Sequence, residues 1–123
     1  MWLDLKTVIL TLTGCSDLKD VPWYSGIVFI CLDELVSQRK FRQKHLTIPR
    51  TFTARALSAK PCGRLFIPST SETIPDYFKR KHNLDVDASN LCIQEKVNSF
   101  SSAAEPFHPI EGLEIWLDDG LFF

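Results

Sequence analysis

The sequence predicts a small α+β or mainly β domain, with its strands in a sheet or barrel rather than in alternating βαβ units. A chain of 123 residues corresponds to one domain that can bury a substantial core. Short apolar and β-branched runs, each closed by Gly, Pro or polar residues, are typical of strands. These runs outnumber the helical segments, so strands dominate the predicted architecture.

The N-terminal third predicts a strand followed by a helix. Residues Leu5–Thr13 are β-branched, apolar and rich in threonine, and Gly14 closes the run, which predicts a strand. Apolar spacing predicts a helix over Trp23–Gln43, although Gly26 leaves a strand open at its start. Three bases would suit the C-terminus of that helix, namely Arg39, Lys40 and Arg42.

The middle of the chain predicts a strand, a turn and a second, shorter strand. Alternating residues over Leu46–Leu57 predict the first strand, and Pro49 places it at a sheet edge or at a bulge. Lysine, proline and glycine within Ser58–Gly63 indicate the turn, and Leu65–Ile67 is the shorter strand after it.

The clearest helix follows a loop at residues 68–72. Thr73 has the character of an N-cap, and Asp76 three positions later completes a capping box. Proline within the first turn is compatible with this assignment. The helix is therefore predicted over Ile74–His82, ending near Asn83.

The C-terminal third predicts one or two further strands. A turn is expected at Asp85–Ala88, a strand at Leu91–Val97 and a flexible loop at Asn98–Ala104. Residues Phe107–Trp116 predict a final strand or a short helix, and Phe122–Phe123 form an apolar tail.

Positive charge is concentrated in residues 39–81. Eleven of the fourteen Lys and Arg residues lie there with only two acids, a formal balance of +9. The other residues hold three bases and thirteen acids, a balance of −10. Such a division indicates either an anion-binding surface or a solvated basic face. Bases interleaved with aromatic rings suit single-stranded nucleic acid. The interleaved rings are Phe41, Phe52, Phe66, Tyr77 and Phe78.

The sequence also indicates a compartment. No membrane span is expected, because the longest apolar run covers only Ile27–Leu32. Asp4 and Lys6 interrupt the apolar N-terminus, so no signal peptide is expected. Four widely spaced cysteines without a CxxC pair predict reduced structural thiols and no zinc site. We therefore expect a cytoplasmic or nuclear protein that is not secreted and has no membrane partner.

The spacings that organise a catalytic centre are missing from the sequence. It contains no GxGxxG, P-loop, GxSxG or HExxH pattern, and no spacing nominates a nucleophile with its base. The paired acids Asp33–Glu34 and Asp118–Asp119 are expected to face water. We expect no enzyme activity, no cofactor and no metal, with a nuclease as the enzymatic alternative.

One motif gives the basic segment a more specific meaning. Residues 73–84 read T-I-P-D-Y-F-K-R-K-H-N-L, which places Tyr77 and Lys81 four residues apart on one helix face. Shorter blocks flank this motif: Arg50-Thr51-Phe52, Lys60-Pro61, Phe66, Asn90-Leu91-Cys92-Ile93-Gln94 and Phe107-His108-Pro109-Ile110-Glu111. In order and spacing, over about residues 46–115, these blocks resemble the PAZ domain of Argonaute and Dicer proteins, most closely that of Argonaute.

The resemblance implies a fold and a function. Residues 1–123 would be a single PAZ-like domain, with a poorly matched part at 1–45 and a tail at 116–123. The implied fold is an OB-like β-barrel with an inserted β-hairpin and helix. The implied function is a binding module, without catalysis, that anchors the 3′ end of single-stranded small RNA or of a duplex overhang in a basic, aromatic-lined cleft. Silencing-complex proteins are further implied partners.

The resemblance also implies the binding residues: Arg50, Phe52, Phe66, Tyr77, Lys81, His82, Lys44 and His45. Phe52 and His82 stand where tyrosine is common in the family, so two hydroxyl donors are lost, at about 1.5–3 kcal/mol each. Phe52 and Phe66 suit either the core or the pocket. The alternative is a degenerate PAZ scaffold that serves as a protein-interaction module. Its exposed patch would consist of Trp2, Trp116, Phe122 and Phe123.

Overall fold

The computed structural model describes residues 1–97 and 107–118. Six strands lie in this part of the chain: β1 (Trp2–Asp4), β2 (Lys40–Gln43), β3 (Arg50–Pro61), β4 (Leu91–Glu95), β5 (Phe107–Pro109) and β6 (Leu113–Trp116). The helices are α1 (Leu5–Thr13), α2 (Gly26–Val36) and α3 (Ile74–His82). Short 3₁₀ turns lie at Leu18–Asp20, Cys62–Arg64 and Ile110–Gly112.

The strands form one antiparallel sheet in the order β1-β6-β2-β3-β4-β5. The α+β prediction is confirmed. Within the described residues the sheet is open, with β1 at one edge and β5 at the other, so it does not close into the expected barrel.

Helix α1 occupies the first predicted strand, so that prediction is wrong. The Asp4 carboxylate accepts a first-turn N–H and caps the helix, and Gly14 ends it at φ +71°. Thr11 and Thr13 donate their hydroxyls to carbonyls four residues back, which accommodates threonine in the helix. The buried face repeats at three and four residues rather than alternating: Leu5, Val8 and Ile9.

Helix α2 ends earlier than predicted, and the chain then turns into β2. The last helical residue is Val36, and Gln38 adopts the left-handed conformation at φ +64°. Lys40 and Arg42 therefore lie on a strand instead of at a helix C-terminus, and Arg39 lies between the two elements.

Strand β3 runs through most of the turn predicted at Ser58–Gly63 and ends in the 3₁₀ turn at Cys62–Arg64. Pro49 directly precedes β3, so its missing N–H removes no bond from the sheet. The strand lies inside the sheet, between β2 and β4, rather than at an edge. Its register with β4 is irregular between Ala54 and Ala56.

Helix α3 is inserted between β3 and β4, and its predicted bounds are confirmed. The Thr73 hydroxyl accepts the N–H of Asp76 at 3.3 Å, and Asn83 ends the helix at φ +51°. The short strand predicted at Leu65–Ile67 is reduced to a single β-bridge between Phe66 and Thr73.

The C-terminal predictions are confirmed in part. Strand β4 covers most of Leu91–Val97, and Asp85–Ala88 precedes it without helix or strand. Residues Phe107–Trp116 form two strands joined by a 3₁₀ turn, rather than one strand or a short helix. The loop predicted at residues 98–104 and the tail Phe122–Phe123 lie outside the described residues.

Two buried clusters hold these elements together. The larger packs α1 and α2 against the sheet, and the smaller packs α3 against β4.

Cys62 and Cys92 form a disulfide in the smaller cluster, with their Cα atoms 6.0 Å apart. The pairing of β3 with β4 brings the two cysteines together. The expectation of reduced thiols is therefore wrong for this pair, whereas Cys15 and Cys31 are free. None of the described helices has the length and apolar character needed to cross a membrane.

Candidate nucleic-acid interface

Four predicted site residues form a chain of contacts on α3 and the loop beside it. This group, the aromatic–basic cluster, consists of His45, Tyr77, Lys81 and His82. Lys81 Nζ lies 5.2 Å from the centroid of the Tyr77 ring, and the ring centroids of His45 and His82 are 4.7 Å apart. The Tyr77 and His82 rings are 6.0 Å apart. The loop after β2 therefore joins the cluster through the contact of His45 with His82.

His45 reaches α3 because the chain passes it closely at Gly112. A Cβ atom on residue 112 would lie 2.6 Å from His45 Nδ1, a distance that real Cβ contacts essentially never show. The same Nδ1 lies 3.3 Å from the Gly112 carbonyl oxygen. Phe78, buried as predicted, lies 5.5 Å from His45 and 5.4 Å from His82 by ring centroids. Gly112 and Phe78 thus position the two imidazoles.

Tyr77 orients the basic end of the helix. Its side chain is only 3 % exposed and belongs to the smaller core cluster. Two cations lie over its ring, Lys81 at 5.2 Å and Arg80 at 5.7 Å from the centroid. The last turn of α3 carries Lys79, Arg80, Lys81 and His82, where positive charge meets the negative end of the helix dipole.

Arg50 lies at the start of β3 in a different set of contacts, the Arg50 network, which consists of Arg50, Gln43, Glu95 and His108. The guanidinium donates two bonds to the Glu95 carboxylate, at 2.8 and 3.0 Å, and one to Gln43 Oε1 at 3.1 Å. Because a guanidinium only donates, the Gln43 amide nitrogen faces His108 Nδ1, 3.2 Å away. The other His108 nitrogen, Nε2, then carries the hydrogen and donates to Glu95 at 2.9 Å.

This network keeps the Glu95 carboxylate ionised. Burial raises the pKa of Glu95, but hydrogen bonds from His108 and Arg50 outweigh burial and lower it from 4.5 to about 2. The carboxylate therefore balances Arg50. Sequence reasoning missed Gln43, Glu95 and His108 as partners because they come from three different strands and carry no motif.

The remaining predicted residues lie in three environments. Phe52 is 7 % exposed and stacks on Phe41 at 5.7 Å, which favours the core alternative for its ring. Phe66 is 55 % exposed, beside the start of α3. Lys44 forms an ion pair with Asp4.

A cavity of about 400 Å³ lies beside Arg50. Its walls come from β3, β4 and the residues after β4: Arg50, Thr51, Phe52, Thr53, Glu95, Lys96 and Val97. The predicted site residues thus include two contact groups, the aromatic–basic cluster and the pair of Arg50 and Phe52 at this cavity. The loop at residues 44–49 joins them, because it carries His45 and leads into β3.

Folding neutralises part of the charge separation seen in the sequence. Between described residues, five bases of residues 39–81 form salt bridges, and four of the acids come from outside that segment. The pairs are Arg42–Glu114, Lys44–Asp4, Arg50–Glu95, Lys79–Asp85 and Arg80–Glu72.

In the two described stretches, no group of three or more His, Cys, Asp or Glu residues is arranged to hold a metal ion.

The open six-stranded antiparallel sheet with α3 inserted between β3 and β4 is the fold of a PAZ domain. The Drosophila Argonaute 2 PAZ domain, studied for 3′-end recognition of nucleic acids, superposes with a TM-score of 0.67 at 15 % identity, covering 94 % of this chain and 95 % of that chain. A Drosophila Ago-PAZ domain in complex with 3′-end 2′-O-methylated RNA gives 0.69 at 17 % identity, covering 95 % and 100 %. A third structure, on nucleic acid binding of the Drosophila Argonaute2 PAZ domain, gives 0.68 at 15 % identity, covering 94 % and 99 %.

Similarity at the level of sequence is more limited. No protein-family model matches the chain. The large ribosomal subunit protein bL9 of Acetivibrio thermocellus is 32 % identical over 69 residues, which cover 56 % of this chain and 45 % of that protein. The match therefore spans less than half of that relative, whereas the likeness to the PAZ structures covers nearly the whole chain.

Proposed function

We propose that this protein binds the 3′ end of single-stranded RNA, or the 3′ overhang of a small RNA duplex, without cleaving it. The observation that carries the proposal is the aromatic–basic cluster, in which His45 from a loop packs on His82, His82 lies near Tyr77, and Lys81 lies over the Tyr77 ring. The PAZ fold supports it, because two similar structures concern 3′-end recognition of nucleic acids or a complex with 3′-end RNA.

The cluster offers groups that suit a terminal nucleotide. The Lys81 ammonium and the His82 imidazole supply N–H donors for phosphate, each such bond contributing about 1.5–3 kcal/mol, and His45 supports the His82 ring. The half-exposed ring of Phe66 supplies a surface on which a base can stack, worth about 1–3 kcal/mol. Because phosphate attraction releases counterions, binding should weaken steeply with added salt.

We propose a smaller contribution to RNA binding for three predicted residues, Arg50, Lys44 and Phe52. Arg50 already donates two bonds to Glu95, so a phosphate there competes with a carboxylate for the same donors. Lys44 is likewise paired with an acid. Phe52 supports the wall of the neighbouring cavity from the core side. A phosphate at Arg50 or Lys44 therefore has to displace a carboxylate.

The proposal extends to the setting of the protein. It acts as one domain over residues 1–123, with small RNA and proteins of a silencing complex as partners, in the cytoplasm or nucleus. Disulfides are uncommon in those compartments, so the state of Cys62 and Cys92 bears on the setting. Cell fractionation tests this part: recovery of the protein from the cytosolic or nuclear fraction supports the placement, and its recovery from a secreted or membrane fraction opposes it.

The proposed function is tested by changing the helix groups and the RNA end separately. Tyr77→Phe with Lys81→Ala removes one hydroxyl and one ammonium while keeping the buried ring, and should weaken binding to RNA with a free 3′ end by about tenfold or more. Lys79→Ala is the matched control, because it removes one charge from the last turn of the same helix but lies outside the aromatic–basic cluster. Its effect should stay within about twofold.

Blocking the RNA end gives the complementary measurement. A bulky group on the 3′ end should weaken binding to the wild-type protein about as much as the double substitution does. If neither change alters affinity at moderate salt, 3′-end binding is excluded. Incubating labelled RNA with a divalent metal tests the absence of cleavage, and the appearance of cleavage products would contradict it.

A second candidate function, protein interaction, is favoured by an apolar surface on α1 and α2. A cavity of about 520 Å³ lies there, Ile27 is 78 % exposed at its wall, and Leu12 is also exposed. Trp2 and Trp116 pack edge to face at 5.4 Å, which agrees with part of the predicted aromatic patch. This candidate becomes preferable if RNA binding is insensitive to both the double substitution and the blocked end.

A further inference from the structure

A cavity of about 550 Å³ lies against a different face of α3 from the aromatic–basic cluster. Asp76 and Lys79, three residues apart, line this cavity, whereas Tyr77 and Lys81, four residues apart, belong to the cluster face. We call it the acidic cavity. Its polar lining consists of Asp17, Asp76, Asp85, Asp87, Asn90 and Glu111, together with Lys6 and Lys79.

Two buried acceptors in this wall have no hydrogen-bond donor within the described residues, Asn90 Oδ1 and Glu111 Oε1. Asn90 is only 1 % exposed, and an unpaired buried acceptor is uncommon because nothing compensates its lost hydration. The neighbouring atoms are engaged: Glu111 Oε2 accepts from the Asp87 N–H at 2.9 Å and from Asn90 Nδ2 at 3.5 Å. Both oxygens belong to residues that line the cavity, and an amide or carboxylate oxygen only accepts.

The charges around the cavity favour a cation. Five carboxylates line it against two lysines. Lys79 is paired with Asp85 at 2.9 Å, and Asp87 accepts bonds from Ser89 at 2.8 and 2.6 Å. For Glu111, burial outweighs the hydrogen bonds that it accepts and raises the pKa of the carboxyl, as expected for a buried acid short of counter-charge.

We propose that the acidic cavity binds an organic cation of the guanidinium or primary ammonium class, whose N–H groups donate to Asn90 Oδ1 and Glu111 Oε1. Both cations carry several donors and no acceptor, which matches oxygens that only accept. The volume lies within the range of small-molecule sites. The cation comes either from a free amine or from an Arg or Lys side chain of a peptide, and the probes below distinguish these sources.

The first experiment titrates the wild-type protein with agmatine and, separately, with a blocked Gly-Arg-Gly tripeptide, while NMR follows assigned amides. We expect saturable shifts at the Asn90 side-chain amide and at the Asp87 and Ser89 N–H groups. Equal affinities indicate a free amine as the natural source, and tighter binding of the tripeptide indicates a side chain. Shifts that do not saturate with either probe, or that arise only with calcium, overturn the proposal.

The second experiment uses matched substitutions. Glu111→Gln removes the charge but keeps an oxygen for the Asp87 N–H, and should weaken agmatine binding by about tenfold or more. Glu34→Gln makes the same charge change on the exposed face of α2 and should leave the affinity unaltered. If thermal unfolding shows that Glu111→Gln does not fold, Asp76→Asn at the exposed rim should weaken binding two- to threefold. Wild-type affinity in the folded variant overturns the proposal.

This site does not depend on the RNA-binding proposal. The acidic cavity and the aromatic–basic cluster share α3 but use different side chains of that helix. Agmatine binding should therefore persist in the Lys81→Ala variant. Failure of one proposal leaves the other open to its own test.

Discussion

The aromatic–basic cluster and the Arg50 network contain similar residues but differ in what surrounds their positive charge. In the network, Glu95 accepts two bonds from Arg50 and one from His108, so a nearly buried anion matches the cation. In the cluster, Lys81 lies over the ring of Tyr77, and His45 lies against His82. Similar residue types therefore serve in different contacts, an ion pair with a carboxylate in the network and ring contacts in the cluster.

Removing the anion of the Arg50 network should have the largest effect on stability. Glu95→Ala leaves the buried Nε2 of His108 without its acceptor and removes the carboxylate that pairs with Arg50, at about 2–3 kcal/mol of unfolding free energy. Urea unfolding measures the loss. Glu114→Ala breaks the more exposed pair with Arg42 and should lose less than about 1 kcal/mol. Equal losses of unfolding free energy in the two variants would show that Glu95 contributes no more to stability than an exposed ion pair does.

Acid should remove the same contribution in the wild-type protein. Because the folded-state pKa of Glu95 lies at about 2, below the ordinary 4.5, its stabilisation is complete above about pH 4.5 and is lost as the pH falls toward 2. The expected loss is about 2–3 kcal/mol, allowing for the half-exposed Arg50. Glu95→Ala should show a flatter pH profile over this range. Parallel profiles in variant and wild type would contradict the assignment.

Phe66 tests the exposed aromatic part of the proposed RNA site. Phe66→Ala should lower RNA affinity about five- to thirtyfold through lost stacking, with little change in stability because the ring is already half exposed. Tyr24→Ala removes another exposed ring and serves as the control. Fluorescence anisotropy with labelled RNA measures both. Similar affinities in the two variants would remove Phe66 from the site.

Gly112 tests how His45 is positioned, with the smallest expected effect. Gly112→Ala places a methyl group against the His45 ring and should weaken RNA binding a few-fold by moving that ring away from His82. Gly26→Ala is the control, because nothing lies within 4 Å of a Cβ there. Unchanged RNA affinity in Gly112→Ala, with the His45 imidazole signal displaced, would show that His45 is dispensable.

Local chemistry made some of this structure predictable. The bounds of α3 follow from a threonine cap and a left-handed asparagine, both read within a few residues. The contact of Tyr77 with Lys81 follows from their spacing on that helix. Segment Leu5–Thr13 was misassigned because β-branched composition favours a strand, while its burial follows a helical period that only packing against the sheet decides.

Contacts between distant segments could not be predicted in the same way. Gln43, Glu95 and His108 come together only through the pairing of separate strands. The Cys62–Cys92 disulfide depends on the register of β3 with β4. The salt bridges that neutralise the basic segment use acids that are remote in sequence, so composition alone overstated the positive surface.

The central claim, that the end of α3 and not Arg50 holds the RNA terminus, is tested most directly by NMR of the protein with a short single-stranded RNA. We predict that an RNA with a free 3′ end shifts the imidazole signals of His45 and His82 and the ammonium region of Lys81, and that blocking this end abolishes those shifts. Shifts confined to Arg50 and Lys96, or shifts that a blocked 3′ end leaves unchanged, would contradict the claim.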